Sequence, residues 1–176
     1  MNIAVLLGGV GFDSQKRTIN GILDHALPEG DNVYIFTCDG WNYVERFKYE
    51  EGEYNIFRLP DFTQYDGVIM NSDTIHDLKV TENVVDRIKK AKVPCVSLNQ
   101  RGEGDVCVSM ENKTGIQEIV EHLVCEHDAR TIAFVSGPID NHDAEQRLAA
   151  YKETMEQHGL QYQEENIFYG DYTYQS

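Results

Sequence analysis

The chain has 176 residues, 41% of them hydrophobic and 26% charged, which is ordinary globular composition at a length that can bury a real core. Basic residues number 15 against 30 acidic ones, leaving a net charge of −15, and the densest basic cluster is only Lys89-Lys90 with Lys92. Such a surface has no clustered cations with which to release counterions, so this chain is expected to bind neither nucleic acid nor an anionic membrane. The four cysteines, Cys38, Cys95, Cys107 and Cys125, show no CxxC spacing and suit a reducing compartment. The first residues, MNIAVLLGG, lack the basic region and long apolar run of a signal peptide, and no window approaches a membrane span. The expected location is cytoplasmic.

Ile3–Leu7 is a continuous apolar run, as expected of a parallel strand covered on both faces, and it ends in Gly8-Gly9-Val10-Gly11. A helix follows from about Ser14, with Ile19, Ile22, Leu23 and Ala26 at helical spacing, until Pro28 and Gly30 break it. Val33–Phe36 is the second strand, which makes a right-handed strand–helix–strand unit. Residues 38–65 are weakly patterned; they offer a helix over Tyr43–Tyr49 and a short extra strand at Tyr54–Phe57. Gly67–Met70 is the third strand. Val84, Val85, Ile88 and Ala91 then mark a helix with Thr81 as its cap.

Pro94–Leu98 is the fourth strand, and Val106–Val108 is another after the turn Arg101-Gly102-Glu103-Gly104. Thr114 opens the next helix with Gln117 as capping-box partner, and its apolar face is Ile116, Ile119, Val120, Leu123 and Val124. A strand at Ile132–Val135 leads through a Ser-Gly-Pro turn into a helix from about Asp143, capped by Asp143 with Gln146 at the reciprocal position. Its apolar stripe is Ala144, Leu148, Tyr151 and Met155, and Gly159 ends it as a left-handed cap. Ile167–Tyr169 is the last strand. Alternating strands and helices predict an α/β fold, a mainly parallel sheet with helices on both faces.

In such sheets ligands bind beyond the carboxyl ends of the strands, which nominates Gly8–Asp13, Cys38–Trp41, Asn71–Thr74, Asn99–Arg101 and Ser136–Asp143. Arg, Asp and Asn beside a Trp or Tyr platform suit a small polyhydroxylated ligand, since amides and carboxylates meet hydroxyls and an aromatic ring covers the apolar face. Each nominee also has a purely structural use. Arg147 is placed to pair with Asp143 at i−4, Trp41 to cover the sheet end, and Asn71 and Asn99 to form turns. The glycine-rich turn matches a dinucleotide fingerprint only in part, because Gly9-x-Gly11-x-x-Ser14 lacks the third glycine. His122 and Cys125 share a helical face, yet no paired metal-ligand set accompanies them, and no GxSxG exists. No catalytic residue, metal or cofactor is assigned.

The runs IAFVSGP (Ile132–Pro138) and QRLAAYKETMEQHGL (Gln146–Leu160) carry a resemblance. They are similar to the effector-binding sensor domain of the lactose-repressor family, a branch of the type I periplasmic-binding-protein-like fold. The resemblance is clearest over residues 107–160 and thin over 1–106, and the family usually has Gly where Ala150 stands. It implies that Arg147 grips the ligand, that Tyr172 is the aromatic at the pocket mouth, and that Phe12 and Asp13 stand where the family contacts its ligand. It implies two lobes, with residues 1–109 the N-terminal lobe and 110–176 the beginning of an incomplete C-terminal lobe, the crossover falling near Ser109–Asn112. A sugar or related metabolite would bind between the lobes, and the signal would pass to a homodimer interface or to an output domain beyond residue 176. Family repressors carry a helix-turn-helix before the sensor, whereas the first strand here begins at Asn2. The resulting expectation is Phe12, Asp13, Trp41, Asn71, Asn99, Arg147 and Tyr172 as ligand contacts of a sensor in transcriptional or signalling regulation. The alternatives are a small flavodoxin-like α/β enzyme or nucleotide-binding domain, and a fold kept only for dimerisation.

Overall fold

The computed structural model describes residues 1–38, 52–75, 77–99, 106–139 and 141–172. They fall into two compact units, Met1–Ser109 and Met110–Ser176. The first contains β1 (Asn2–Gly8), α1 (Asp13–Ala26), β2 (Asn32–Cys38), β3 (Gly67–Asn71), α2 (Leu78–Ala91), β4 (Cys95–Leu98) and β5 (Val106–Val108). Short 3-10 turns occupy Tyr54–Arg58, Phe62–Gln64 and Ser72–Thr74. The strands form one sheet in the order β2-β1-β3-β4-β5, and every pairing is parallel.

The uninterrupted apolar character of β1 follows from two cores that share it. Ala4 and Leu6 point to one face, where Val84, Val85 and Ile88 of α2 bury them together with Phe57 and Phe62. Val5 and Leu7 point to the other, against Ile19, Ile22 and Leu23 of α1. A strand with period-2 side chains must be apolar at every position when both faces are covered.

The extra strand expected at Tyr54–Phe57 is a 3-10 turn instead. Tyr54 and Phe57, three residues apart, are both buried and their rings stack at 6.4 Å, which is a helical and not an alternating pattern. Arg87 of α2 holds this segment in place. Its Nη1 donates to the Phe57 carbonyl (2.9 Å), its Nη2 donates to those of Arg58 (3.2 Å) and Pro60, and the guanidinium lies 5.1 Å from the Phe62 ring centre. The helix expected over Tyr43–Tyr49 and the turn Arg101–Gly104 lie outside the described residues. Thr81 does not cap α2. The Asp77 carboxylate accepts from the Lys79 and Val80 amides, and Thr81 is buried inside the helix.

The second unit contains α3 (Lys113–His127), β6 (Phe134–Ser136), α4 (His142–Gln157), a 3-10 turn at Glu164–Asn166 and β7 (Ile167–Tyr169), with β6 and β7 paired in parallel. Its core joins Val120 and Val124 of α3 to Tyr151 and Met155 of α4 and to Ile167. Tyr151 is fully buried; its hydroxyl donates to the Ile132 carbonyl (2.8 Å) and its ring stacks on Phe134. Ile119, expected on the apolar face of α3, is 58% exposed and belongs to the outer side of that helix.

The helix starts in this unit also differ from expectation. The Glu111 carboxylate, outside α3, accepts from the Lys113 and Thr114 amides, so Thr114 is inside the first turn; these two bonds hold the Glu111 carboxyl below its ordinary pKa. Asn141, not Asp143, caps α4 by accepting from the Ala144 amide. Gly159 does terminate it, with φ 69° and the Leu160 amide reaching back to Met155.

Candidate functional site

β6 runs into Ser136-Gly137-Pro138, and the chain then turns into α4 behind its Asn141 cap. This geometry leaves a cavity of about 580 Å³ in the second unit, lined by Ser136, Gly137, Ala144, Arg147, Tyr169 and Tyr172 among others. Arg147 forms part of its wall because it sits one turn into α4, on the side facing the strand ends.

The guanidinium is held from behind. Arg147 Nε donates to Asn112 Oδ1 (2.9 Å), and Nη2 lies 3.9 Å from Asp143 Oδ2. Asn112 is buried, and its Nδ2 donates in turn to Asp143 Oδ1 (2.9 Å) and Gln146 Oε1 (3.3 Å). An arginine presents five N–H donors in a rigid fork. Here the Nε end is used for orientation, and Nη1 has no hydrogen-bond partner among the described residues, which leaves donors for a guest. Pairing with Asp143 and a place on the cavity wall therefore coexist. Asn112 was not singled out by sequence, since its role depends on residues 31 to 35 positions away; only its place just ahead of α3 marked it.

Tyr172 adopts a left-handed φ of 63° and lays its phenol over Gly137, where a Cβ would lie 2.2 Å from the hydroxyl oxygen. A side chain at position 137 would displace the phenol from this place. The Tyr172 hydroxyl donates to Asn141 Oδ1 (3.2 Å). Arg147 and Tyr172 share this one cavity, and both were nominated by sequence.

The remaining nominees belong to the first unit. At the end of β1 the backbone approaches the Ser72–Thr74 turn so closely that a Cβ on Gly8 would lie 2.1 Å from the Thr74 carbonyl oxygen, while the Gly8 amide donates to Thr74 Oγ1 (2.8 Å). Phe12 stands at the N-cap position of α1 and is 40% exposed; Asp13 opens the helix and lies 3.7 Å from Lys16 Nζ. Asn71 ends β3 almost fully buried, and its Oδ1 has no partner among the described residues. Asn99 follows β4 in a left-handed conformation (φ 68°), and its backbone amide donates to the Val108 carbonyl (2.8 Å), extending the pairing of β4 with β5. Trp41 lies outside the described residues.

A larger cavity in this unit, about 670 Å³, runs along Tyr54, Arg58, Asp77, Lys79, Asn83 and Arg87. Its Arg87 Nη1 and Nη2 are committed to backbone carbonyls and its Asp77 to the α2 cap, whereas the smaller cavity presents a guanidinium and is the candidate site. Among the described residues no group of three or more His, Cys, Asp or Glu side chains converges on a metal position, and no helix is long and apolar enough to cross a membrane.

Catabolite control protein A of Staphylococcus xylosus is 35% identical to this chain over 178 residues, a match covering 93% of this chain and 51% of the relative. The Streptococcus mutans protein of the same name is 33% identical over 183 residues, covering 94% and 51%. The chain thus spans about half the length of the curated relatives it matches. Among solved structures, the transcription regulator CcpA of Lactococcus lactis aligns over 99% of this chain and 60% of its own, with TM-score 0.71 and 18% identity. A LacI family regulator from Weissella paramesenteroides, solved with bound glucose, aligns over 99% and 61% with TM-score 0.70 and 18% identity. A dimeric Lac repressor aligns over 98% and 59% with TM-score 0.68 and 20% identity. At these identities the solved structures establish the fold, and no family model matches.

Proposed function

This chain is a homologue of the lactose-repressor-family regulators and carries their effector-binding fold, and from that premise we propose that it is a sensing module for a sugar-like small molecule. The observation that carries the reading is the Arg147 guanidinium, oriented by Asn112 and Asp143 at the wall of a cavity that Tyr172 also lines. A neutral polyhydroxylated guest fits this chemistry best. Asp143 offsets much of the arginine's charge, and a chain of net charge −15 disfavours an anionic guest. Similar proteins have been solved with glucose, sucrose and cellobiose. Tyr169 and Tyr172 would cover the apolar face of the ring while Arg147 and Ser136 meet its hydroxyls.

We propose the same contact role for Phe12, Asp13, Asn71 and Asn99, each at or beyond the carboxyl end of a strand of the first unit. The module binds and does not transform its ligand. It acts inside the cell as part of a transcriptional or signalling regulator, and its differential affinity for two conformations shifts their populations at a homodimer interface or an attached output domain. The test is calorimetric titration of the chain with glucose, sucrose and cellobiose, followed by mass spectrometry of the recovered sugar. Saturable binding of at least one, recovered unmodified, is expected. A chain that ignores every neutral sugar but retains a visible-absorbing cofactor, or that converts its ligand, would replace this reading with the small-enzyme one.

A further inference from the structure

We propose that the last turns of α3 hold a two-histidine site for a divalent transition-metal ion of the zinc and copper class, bound through Nε2 of His122 and Nε2 of His127. The two side chains are five residues apart in sequence, yet their Nε2 atoms lie 3.1 Å from one another, with ring centres 4.9 Å apart and ring planes at 75°. Both are exposed. Two nitrogens ~2.0–2.1 Å from one ion are about 2.9 Å apart at a right angle and about 3.4 Å apart at the tetrahedral angle. The observed separation falls between these two values, so the pair has the spacing of a two-nitrogen chelate, and the exposed rings need only turn their Nε2 lone pairs from each other toward a shared ion.

Without an ion, one Nε2 must carry a proton and donate it to the lone pair of the other. With an ion, both Nε2 atoms donate lone pairs to the metal and each ring carries its proton on Nδ1, so the metal–nitrogen bonds replace the hydrogen bond between the rings. Imidazole pairs select ions of intermediate softness over calcium or magnesium, which take oxygen donors. The acidic side chains of Glu118, Glu121, Glu126 and Asp128, all exposed on or beside the same helix, raise the local concentration of cations. Since no third His, Cys, Asp or Glu converges with the pair among the described residues, water completes the coordination and the ion exchanges readily. The site is independent of the Arg147 cavity.

The test is calorimetric titration of the full chain with zinc chloride and copper chloride in a buffer that does not chelate. One ion is expected to bind per chain, with affinity reduced about tenfold or more in His122→Gln and equally in His127→Gln, because each removes one of two metal–nitrogen bonds. His25→Gln and Cys125→Ser should leave the titration unchanged, which separates the pair from other surface donors. Added zinc should raise the melting temperature of the natural sequence and not of either pair variant. Circular dichroism confirms that the variants are folded. Absence of saturable binding, or binding that survives both pair substitutions, overturns the proposal.

Discussion

Replacing Arg147 with alanine separates its two roles. Within the fold, the variant loses the bond to Asn112 and an ion pair with Asp143 that spans 3.9 Å between side chains 32% and 15% exposed. The pair contributes at most about 1 kcal/mol, as partly exposed pairs do, and the buried Asn112 oxygen left without its donor adds about 1 kcal/mol more. Stability should therefore fall by roughly 1–2 kcal/mol in urea unfolding. Ligand binding should suffer more. A hydrogen bond from a charged donor to a ligand hydroxyl is worth ~1.5–3 kcal/mol, and 1.4 kcal/mol is tenfold, so affinity should drop about ten- to a hundredfold. Arg147→Lys keeps the charge but not the planar fork and should fall in between. Asn112→Ala, which leaves the arginine but releases its Nε anchor, should weaken binding by a smaller factor. Titration of each variant with the sugar that the natural chain binds is the assay. An Arg147→Ala protein that is folded and binds that sugar within twofold of the natural affinity would refute the role given to this side chain.

Three further outcomes follow from the geometry. Gly8→Ala should destabilise the first unit by about 3 kcal/mol in chemical unfolding, because the new methyl meets the Thr74 carbonyl at 2.1 Å and only backbone movement relieves it. Tyr151→Phe should cost about 1–3 kcal/mol by the same measurement, since the buried Ile132 carbonyl loses its donor while the ring stack on Phe134 remains. The Glu111 carboxyl is held below its ordinary value of 4.5 by amides of α3, so its stabilisation is present above that value and is lost as pH falls through its folded pKa. Comparing acid unfolding of the natural chain with Glu111→Gln should show a shallower pH dependence in the variant.

The strands and long helices were legible because burial on both sheet faces writes continuous apolar runs such as Ile3–Leu7, and a helix on a core writes a stripe such as Ala144, Leu148, Tyr151 and Met155. The helix starts were not. Asp77, Glu111 and Asn141 cap their helices where Thr81, Thr114 and Asp143 were expected. Each start offers several short polar side chains within four residues, and the choice depends on which backbone leaves the helical region, a property that local sequence does not encode. Tyr54–Phe57 misled because two aromatics in a four-residue run fit a strand as well as a 3-10 turn, and the deciding contact comes from Arg87, some thirty positions on. In the candidate site, the local pattern allowed Arg147 either to pair with Asp143 or to face a ligand, and the resemblance to the lactose-repressor family singled it out. Asn112, which orients it, acts through residues 31 to 35 positions away and left no local trace.

Asn141 ties the cavity wall to the helix that carries Arg147. One amide oxygen accepts both the Ala144 amide of α4 and the Tyr172 hydroxyl, and a carbonyl-type oxygen has a lone pair for each. If the Tyr172 bond is removed, the helix keeps its cap and Arg147 keeps its bond to Asn112. Substitution at position 172 can thus alter the cavity wall without removing the helix cap or the Asn112 anchor of Arg147.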